Sequence, residues 1–344
     1  MSAASALATG FEPSPRLAET AVRQAMDKAG LERAGGVILF LSPDFSRRCQ
    51  PAVLAAARAA GCLQVSGMVV PGLFTEADWP LDRPAAAALV LGDGLALTPA
   101  EGSPEAPLFS LASTALPADW QSGLPRFGLM HAVSPVWQAA RLAAAGRAEA
   151  SVAGARCHLA ISTGLRRLGP AHAVEEARGH DLLRLGGLTA VESLSRALPP
   201  EIRQRSPLPV HLLGVVREGE LQPAIAILAA NADGSLTLAE RPRPGERLLW
   251  ALRQPLSAEA DMAASLETVA AACPAPAFGL MCSCIGRGPM FYGDDDRDLA
   301  AFRSRFPGLP LLGAYAGSQI GPAGGGNRQW QNSVITALFE TDHV

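Results

Sequence analysis

The chain has 344 residues, of which 49% are hydrophobic and 18% are charged, and its formal net charge is −3. This composition is typical of a globular protein with sizeable cores, and the length favours two domains. Because the net charge is close to zero and Arg and Lys are dispersed, nucleic acid and anionic membrane surfaces are disfavoured as partners.

The chain shows no sign of membrane insertion or secretion. No window reaches the roughly 18 apolar residues of a membrane helix, and residues 1–9 lack the charged and apolar regions of a secretory signal. We therefore expect a cytoplasmic protein. The six cysteines are unevenly spaced, which favours free thiols over a disulfide framework.

The N-terminal part predicts alternating strands and helices. Ser14 before Pro15 predicts a helix start, and Gly30 and Gly61 each follow a predicted helix end. The predicted helices cover 14–29, 48–60 and 136–145, the predicted strands cover 36–41, 65–70, 85–92, 127–133 and 155–161, and 94–125 is predicted to be irregular. This order is typical of a layered α/β domain.

The C-terminal part predicts more strand. Its predicted strands cover 210–216, 224–229, 235–238, 277–281, 311–315 and 334–339, and its predicted helices cover 186–198, 258–272 and 296–305. Short strands with Gly-containing turns between them indicate antiparallel pairing. We predict a mixed α/β (α+β) protein of two layered domains: residues 1–190, a strand–helix–strand half, and residues 191–344, a more β-rich half.

The segment Cys282–Pro289 is the strongest candidate for a site. It follows the predicted strand 277–281 and holds two thiols, two glycines and Arg287. Glycine allows a close backbone approach to a ligand, and loops at strand ends often hold ligands in α/β proteins. The segment therefore predicts a small-molecule site without naming the molecule.

Cys282 and Cys284 form a C-x-C pair whose side chains lie on one side of a strand. A metal site needs further Cys or His ligands at suitable spacing, and none is present, so we predict no metal. A buried, inert thiol and a catalytic nucleophile both remain open.

Arg287 lies between two glycines and has two interpretations. It either clamps a ligand anion or pairs with an acidic neighbour and backbone carbonyls. Neither a P-loop nor a G-x-G-x-x-G motif is present, so no motif supports nucleotide binding.

Three further features each have a structural alternative. The acidic run Asp294–Asp298 lacks the Gly and Glu of a calcium loop and predicts a helix start instead. The Gly-rich segment 321–327 predicts either a lid or a hairpin connection. Gln319 and Asn332, which flank that segment, either bind a ligand or satisfy backbone groups.

Several motifs of the C-terminal half resemble the FIST sensory family, and specifically its FIST C domain. The resemblance lies first in a helix start at 186–192 that is similar to the family's "LGGxPAxxxL" motif. It also lies in the hairpin turns at 232–236 and 244–246 and in the "CxGRG" signature at 284–288. A "GFYxxGEIxP"-like stretch at 313–322 and the terminal strand from Asn332 complete the match over about 155–340.

The N-terminal half resembles the FIST N domain more weakly. The resemblance lies in the strand and Ser-Pro-Asp-Phe turn at 37–45. Val65-Ser66-Gly67 departs from the family's "GCT" turn, and Gln319 stands where the family pattern has Glu. The Gln319 departure bears directly on which ligand the site binds.

The resemblance implies a stand-alone, proteobacterial-type FIST protein that senses a small ligand such as an amino acid or related metabolite. Such a protein either signals through a separate output protein or acts as a simple binding protein. The resemblance implies these ligand-binding residues: Cys284, Gly286, Arg287, Gly288, Tyr315, Gln319 and Asn332. We predict no cofactor and no catalytic residue. Alternatives are a cysteine-dependent enzyme using Cys284 or Cys282 and a ligand-independent protein-interaction module.

Overall fold

A computed structural model of the chain describes residues 2–100, 106–219 and 221–341. The chain divides into two compact units. Unit 1 contains Met1–Ser162 and Met262–Val344, and unit 2 contains Thr163–Asp261. Unit 2 is therefore an insertion between two segments of unit 1.

The first segment of unit 1 alternates helices and strands and then becomes mainly β. Its elements are β1 (Ala3–Thr9), α1 (Pro15–Ala29), β2 (Gly36–Leu41), a 3-10 turn (Pro43–Phe45), α2 (Gln50–Ala60), β3 (Val65–Val69), β4 (Gly72–Thr75), β5 (Ala85–Leu91), β6 (Ala96–Thr98), β7 (Leu108–Ala112), a 3-10 turn (Ala118–Trp120), β8 (Arg126–Met130), β9 (Val136–Gln138), β10 (Arg141–Leu142), β11 (Arg147–Ala153) and β12 (Ala155–Ser162).

Unit 2 is mainly β. Its elements are β13 (Leu165–Arg178), β14 (Asp181–Leu185), β15 (Leu188–Thr189), α3 (Ala190–Ala197), α4 (Pro200–Arg203), a 3-10 turn (Val210–Leu212), β16 (Leu213–Arg217), β17 (Ile225–Ala230), β18 (Leu236–Leu238) and β19 (Arg247–Arg253).

The remaining elements follow the return of the chain to unit 1. They are α5 (Pro255–Ala272), which begins in unit 2, then β20 (Phe278–Cys284), a 3-10 turn (Ile285–Arg287), α6 (Pro289–Tyr292), α7 (Arg297–Arg305), β21 (Leu311–Ala316), β22 (Ser318–Ala323), β23 (Gly326–Trp330) and β24 (Val334–Thr341).

The described residues of unit 1 form three sheets. Their strand orders are β1-β5-β2-β3-β9-β10, β12-β24-β20-β21-β4 and β23-β22-β8-β7-β11-β6. β2 pairs in parallel with β3, β7 with β8, and β20 with β21. The second and third sheets each combine strands from both segments of unit 1, so the two segments fold as one unit.

Two helices and one interior cluster make up most of the core of unit 1. α1 and α2 bury their apolar residues against the first sheet, where Val22 and Val53 pack with Leu39. A second cluster, the interlayer cluster, joins residues of all three sheets, among them Phe127 and Ile335. Because both faces of these strands are covered, β2 and β5 read as continuous apolar runs.

In the part of unit 2 that the structure describes, the strands form a seven-stranded sheet in the order β13-β19-β16-β17-β18-β14-β15. All its described pairings are antiparallel. α3 begins with a capping box in which Thr189 and Glu192 bond each other's backbone, and its Leu194 packs with Trp250 in the unit's core.

The predicted mixed α/β class is confirmed, and so are most elements. Ser14 caps α1, and Gly30 and Gly61 end their helices in the left-handed conformation. Asp296 caps α7, as the acidic run predicted. Of the two interpretations of 321–327, the hairpin is the one observed: Gly324 and Gly325 form the turn between β22 and β23 at positive φ.

Two local predictions are wrong. Residues 136–145 form the hairpin β9–β10 instead of a helix, because Ala139 and Ala140 both take positive φ and reverse the chain. The stretch 94–125, predicted to be irregular, contains β6 and β7, whose apolar residues pack into the interlayer cluster.

The two compact units do not follow the predicted division into 1–190 and 191–344. Strand pairs such as β12–β24 and β4–β21 join the chain's two ends, and the insertion starts at Thr163. As boundaries between family domains, 1–190 and 191–344 stay a prediction.

None of the described helices has both the length and the apolar character needed to span a membrane.

Candidate functional site

The site predicted from sequence begins where two parallel strands end. The register of β20 and β21 sets Cys284 opposite Ala316 at the carboxyl ends of both strands. The 3-10 turn Ile285–Arg287 leaves β20 at this point, with Ile285 and Gly286 exposed. Loops at the carboxyl ends of parallel strands commonly bind ligands.

Arg287 is held in a buried ion pair. Its side chain is 1% exposed and that of Asp298 is 2% exposed. Nε and Nη2 donate to the two carboxylate oxygens of Asp298, each at 3.0 Å, and Nη1 donates to the carbonyl oxygen of Ser162 at 3.1 Å. The Tyr292 hydroxyl also donates to Asp298, at 2.9 Å. Two parallel N–H···O bonds make this a strong, directional pair.

This geometry favours the structural interpretation of Arg287. Burial raises the pKa of Asp298 to about 6, so the carboxyl is still ionised at neutral pH and holds the guanidinium. A ligand carboxylate would have to displace Asp298 to bind Arg287 directly. The guanidinium instead ties the turn after β20 to α7 and to the end of β12.

Tyr315 belongs to the packed interior. Its hydroxyl donates to Asp296 Oδ2, and its ring lies 4.8 Å from the ring of Phe74. Burial raises the pKa of the Tyr315 hydroxyl and that of the Asp296 carboxyl. A Cβ at Gly288 would lie 3.3 Å from the Tyr315 ring, so Gly288 allows the turn to pack closely on that ring.

Alternation along the strands separates Tyr315 from Cys284. Tyr315 is one residue before Ala316, the register partner of Cys284, and successive side chains point to opposite faces. Tyr315 packs with Phe74, whereas Cys282, which shares the face of Cys284, packs into the interlayer cluster. Tyr315 and Cys284, two of the predicted ligand residues, therefore lie on opposite faces of this sheet.

Three predicted residues come together with two others in what we call the edge cluster: His131, Cys284, Gly286, Gly317 and Asn332. The Cys284 Sγ lies 3.7 Å from the carbonyl oxygen of Gly317. A Cβ at Gly286 would lie 2.8 Å from Asn332 Oδ1, and a Cβ at Gly317 would lie 3.3 Å from His131 Nδ1. Asn332 has a φ of +53°, a left-handed conformation that Asn tolerates better than most residues.

His131 is the member of this cluster that sequence reasoning missed. It directly follows β8, which pairs with β22, and burial lowers the pKa of its imidazole. Its position after a strand was visible in the sequence, but its pairing with a distant strand was not.

Gln319 lies on β22, two residues after Gly317 of the edge cluster, and is fully buried. Its register partners are Leu129 on β8 and Trp330 on β23, and both belong to the interlayer cluster. Within residues 2–100, 106–219 and 221–341, neither amide atom of Gln319 has a hydrogen-bond partner.

The two thiols of the C-x-C pair differ in their surroundings. Burial raises the pKa of the Cys282 thiol, which makes it a poor nucleophile. Cys284 ends the strand and contacts Gly317. All six cysteines are free, and the part of the chain that the structure describes holds no group of three or more metal-ligating side chains.

Open clefts elsewhere in unit 1 involve other residues. One of about 390 Å³ is lined by Thr9 and 78–83, and one of about 540 Å³ is lined by 33–35, 62–64 and 92–95. Neither includes a predicted ligand residue.

Cys284, Gly286 and Asn332 thus share one edge, Arg287, Gly288 and Tyr315 lie in buried packing, and Gln319 faces the interlayer cluster. Their role as ligand contacts stays a prediction.

Comparison with known proteins gives a family match over residues 190–322, to the FIST C domain. The chain is also similar to the uncharacterized protein Rv0628c of Mycobacterium tuberculosis, with 26% identity over 197 residues, which is 54% of this chain and 51% of that protein. It is 28% identical to the uncharacterized protein Mb0898c of Mycobacterium bovis over 193 residues, which is 53% of this chain and 50% of that protein. The chain thus spans about half the length of these relatives.

The FIST C match includes Cys284, Gly286, Tyr315 and Gln319 but ends before Asn332. FIST domains are associated with sensory signal transduction. Residues 190–322 therefore match the FIST C domain, and this match supports the resemblance of the chain to the FIST family.

Proposed function

We propose that this protein is a sensory protein that binds a small ligand, an amino acid or a related metabolite, at the edge cluster of unit 1. The family association with sensory signalling supports the general role. The chemistry of the edge cluster supports the kind of ligand, because an imidazole, an amide and a backbone carbonyl suit a small polar molecule.

The observation that carries the proposal is the convergence of four strand ends. His131 follows β8, Gly317 follows β21, Cys284 ends β20 and Asn332 precedes β24. The Cys284 Sγ lies 3.7 Å from the Gly317 carbonyl oxygen, and a Cβ at Gly286 or Gly317 would come within 3.3 Å of Asn332 or His131, respectively. No single stretch of sequence supplies these groups, and rigid strands hold each one. Such convergence on a scaffold is how binding sites are commonly built.

Arg287 acts here as a positioning residue. It fixes the turn that contains Gly286 and also holds the carbonyl of Ser162, the last residue before the chain enters unit 2. A ligand that displaces the turn therefore changes the bonding at that exit point. Binding shifts an equilibrium between conformations, and a separate output protein reads the change.

A thermal-shift screen of amino acids and related metabolites tests the proposal. A ligand at about 100 times its Kd stabilises the folded state by about 2.7 kcal/mol, which raises the Tm measurably. No response across a broad panel would contradict the proposal.

The variant Asn332→Gly tests the location. Gly accepts positive φ, so the fold is kept while the amide is lost, and we expect a confirmed ligand to bind about 3- to 10-fold more weakly. The matched control is Gln331→Ala, an exposed amide next in the chain. Equal binding by both variants would move the site elsewhere.

The position of Cys284 favours one second candidate, a cysteine-dependent enzyme. Cys284 and His131 both lie against Gly317, which brings a thiol and an imidazole to one place. A catalytic thiol reacts rapidly with iodoacetamide at neutral pH. A rate for Cys284 well above that of a free cysteine would favour the enzyme over the sensor.

A further inference from the structure

Gln319 is a buried amide whose hydrogen-bonding capacity is unused. It is 0% exposed, and across the described parts of the chain its Oε1 and Nε2 both lack a partner. An amide offers one acceptor oxygen and two N–H donors, and leaving them unpaired in an interior is unfavourable. Buried polar groups in proteins are nearly always hydrogen-bonded, so this amide calls for an explanation.

The two register partners of Gln319 offer one more unused donor and carry no charge. Trp330, its register partner on β23, is 1% exposed, and its indole Nε1 has no partner within the described residues either. Leu129 flanks Gln319 on the other strand. A group that meets both side chains can accept from N–H donors and donate to Oε1.

Gln319 is also close to the edge cluster. It follows Gly317 by two residues, which is about 7 Å along an extended chain. Its register partners share the interlayer cluster with Cys282, which is two residues from Cys284 on the same strand face. The buried amide therefore lies directly inward from the edge cluster.

Resting on the proposed function, we propose that Gln319 determines specificity by pairing with an uncharged group of the ligand that carries a carbonyl beside an N–H, such as a carboxamide or a urea. Two amides pair through two hydrogen bonds, which would satisfy both ends of Gln319. A charged ammonium or carboxylate would be desolvated there without a counter-charge from Leu129 or Trp330. Because Gln319 is fully buried, the ligand gains access by opening the edge cluster, and this couples binding to a conformational change.

Three small probes of similar size test the proposal: propionamide, propionate and propylammonium at equal concentration, observed by saturation-transfer NMR on the full chain. We expect propionamide to give a signal at least about tenfold stronger than either ion, since the loss of about one hydrogen bond corresponds to that factor. The Gln319→Leu variant should lose the propionamide signal. It keeps a similar volume and removes an unpaired amide, so it should remain folded.

Gln329→Leu is the matched control, because Gln329 lies on the adjacent strand β23 and is exposed. It should keep the propionamide signal. Stronger binding of either ion, an unchanged signal in Gln319→Leu, or no binding of propionamide would overturn the inference. If the metabolite panel gives ligands that are charged at this end, the sensory proposal stands and only the inference about Gln319 fails.

Discussion

The two ends of the β22–β23 hairpin each bury an amide, and they treat it in opposite ways. Asn327 lies near the turn and is fully bonded: Oδ1 accepts from Arg126 N at 2.8 Å, and Nδ2 donates to the carbonyls of Trp120 and Leu124 at 2.7 and 2.9 Å. Gln319 lies at the open end, and both amide atoms are unpaired within the described residues. Both residues are 0% exposed.

This difference separates a structural amide from a candidate binding group. The backbone loop 120–126 is shaped to the Asn327 side chain, so that end of the hairpin is complete without a ligand. The other end pairs Gln319 only with apolar or unpaired neighbours, beside the edge cluster. Two amides that are equally buried thus have different roles, and the hydrogen-bond partners of Asn327 and Gln319 distinguish those roles.

The largest change in the free energy of unfolding is expected at the turn end of the hairpin, where Asn327 lies. Asn327→Leu removes three hydrogen bonds and leaves two carbonyls and one N–H with no side-chain partner, so we expect a loss of about 3 kcal/mol in the free energy of unfolding. Urea denaturation measures this. A loss below about 1 kcal/mol would mean that this end is not held by the amide, and the comparison would fail.

A change of opposite sign in the free energy of unfolding, a stabilisation, is expected at the open end of the hairpin, where Gln319 lies. Gln319→Leu replaces an unpaired buried amide with an apolar side chain of similar volume, so we expect a gain of about 1–2 kcal/mol. The same urea titration serves, with Gln329→Leu on the exposed side of β23 as a control, which should lose at most about 1 kcal/mol with its hydrogen bond to Ser318 Oγ. Marked destabilisation by Gln319→Leu would show that the amide has a structural partner in solution.

Local signals predicted the helices and the buried strands. Ser14, Gly30 and Asp296 act within a few residues of themselves, so their capping roles were evident from sequence. The helix predicted for residues 136–145 was wrong because it rested on the helix propensity of Ala. Ala139 and Ala140 instead form a turn imposed by the pairing of β9 with β3. Tertiary contacts overrode propensity there.

The site was only partly visible for a related reason. The turn Ile285–Gly288 could be located because its two glycines directly follow the thiols of Cys282 and Cys284 in sequence. His131 and the unpaired state of Gln319 depend on β22 pairing with β8, far along the chain, and no local pattern encodes that. Arg287 had two interpretations, and only the position of Asp298 distinguishes them.

Asp298 extends the comparison to a buried side chain that is fully hydrogen-bonded, like Asn327, but can also titrate. Burial raises its pKa in the folded state to about 6, above the value of about 3.9 in an unfolded chain. The folded state therefore binds the proton more tightly, and the stability this contributes is lost as the pH rises through about 6. We expect wild type to gain about 1 kcal/mol from this group between pH 7 and pH 5.

Asp298→Asn isolates that contribution, because the variant keeps a polar side chain but cannot titrate there. Its stability should be lower overall, since Arg287 loses its counter-charge, and its change between pH 7 and pH 5 should lack the increment seen in wild type. Urea titrations at both pH values give the two differences. If wild type instead loses stability relative to the variant on acidification, the attraction of Arg287 outweighs burial. The bonding partners of Asp298 would then determine its behaviour, as they do for Asn327: the ion pair with Arg287, and not burial, would set its protonation.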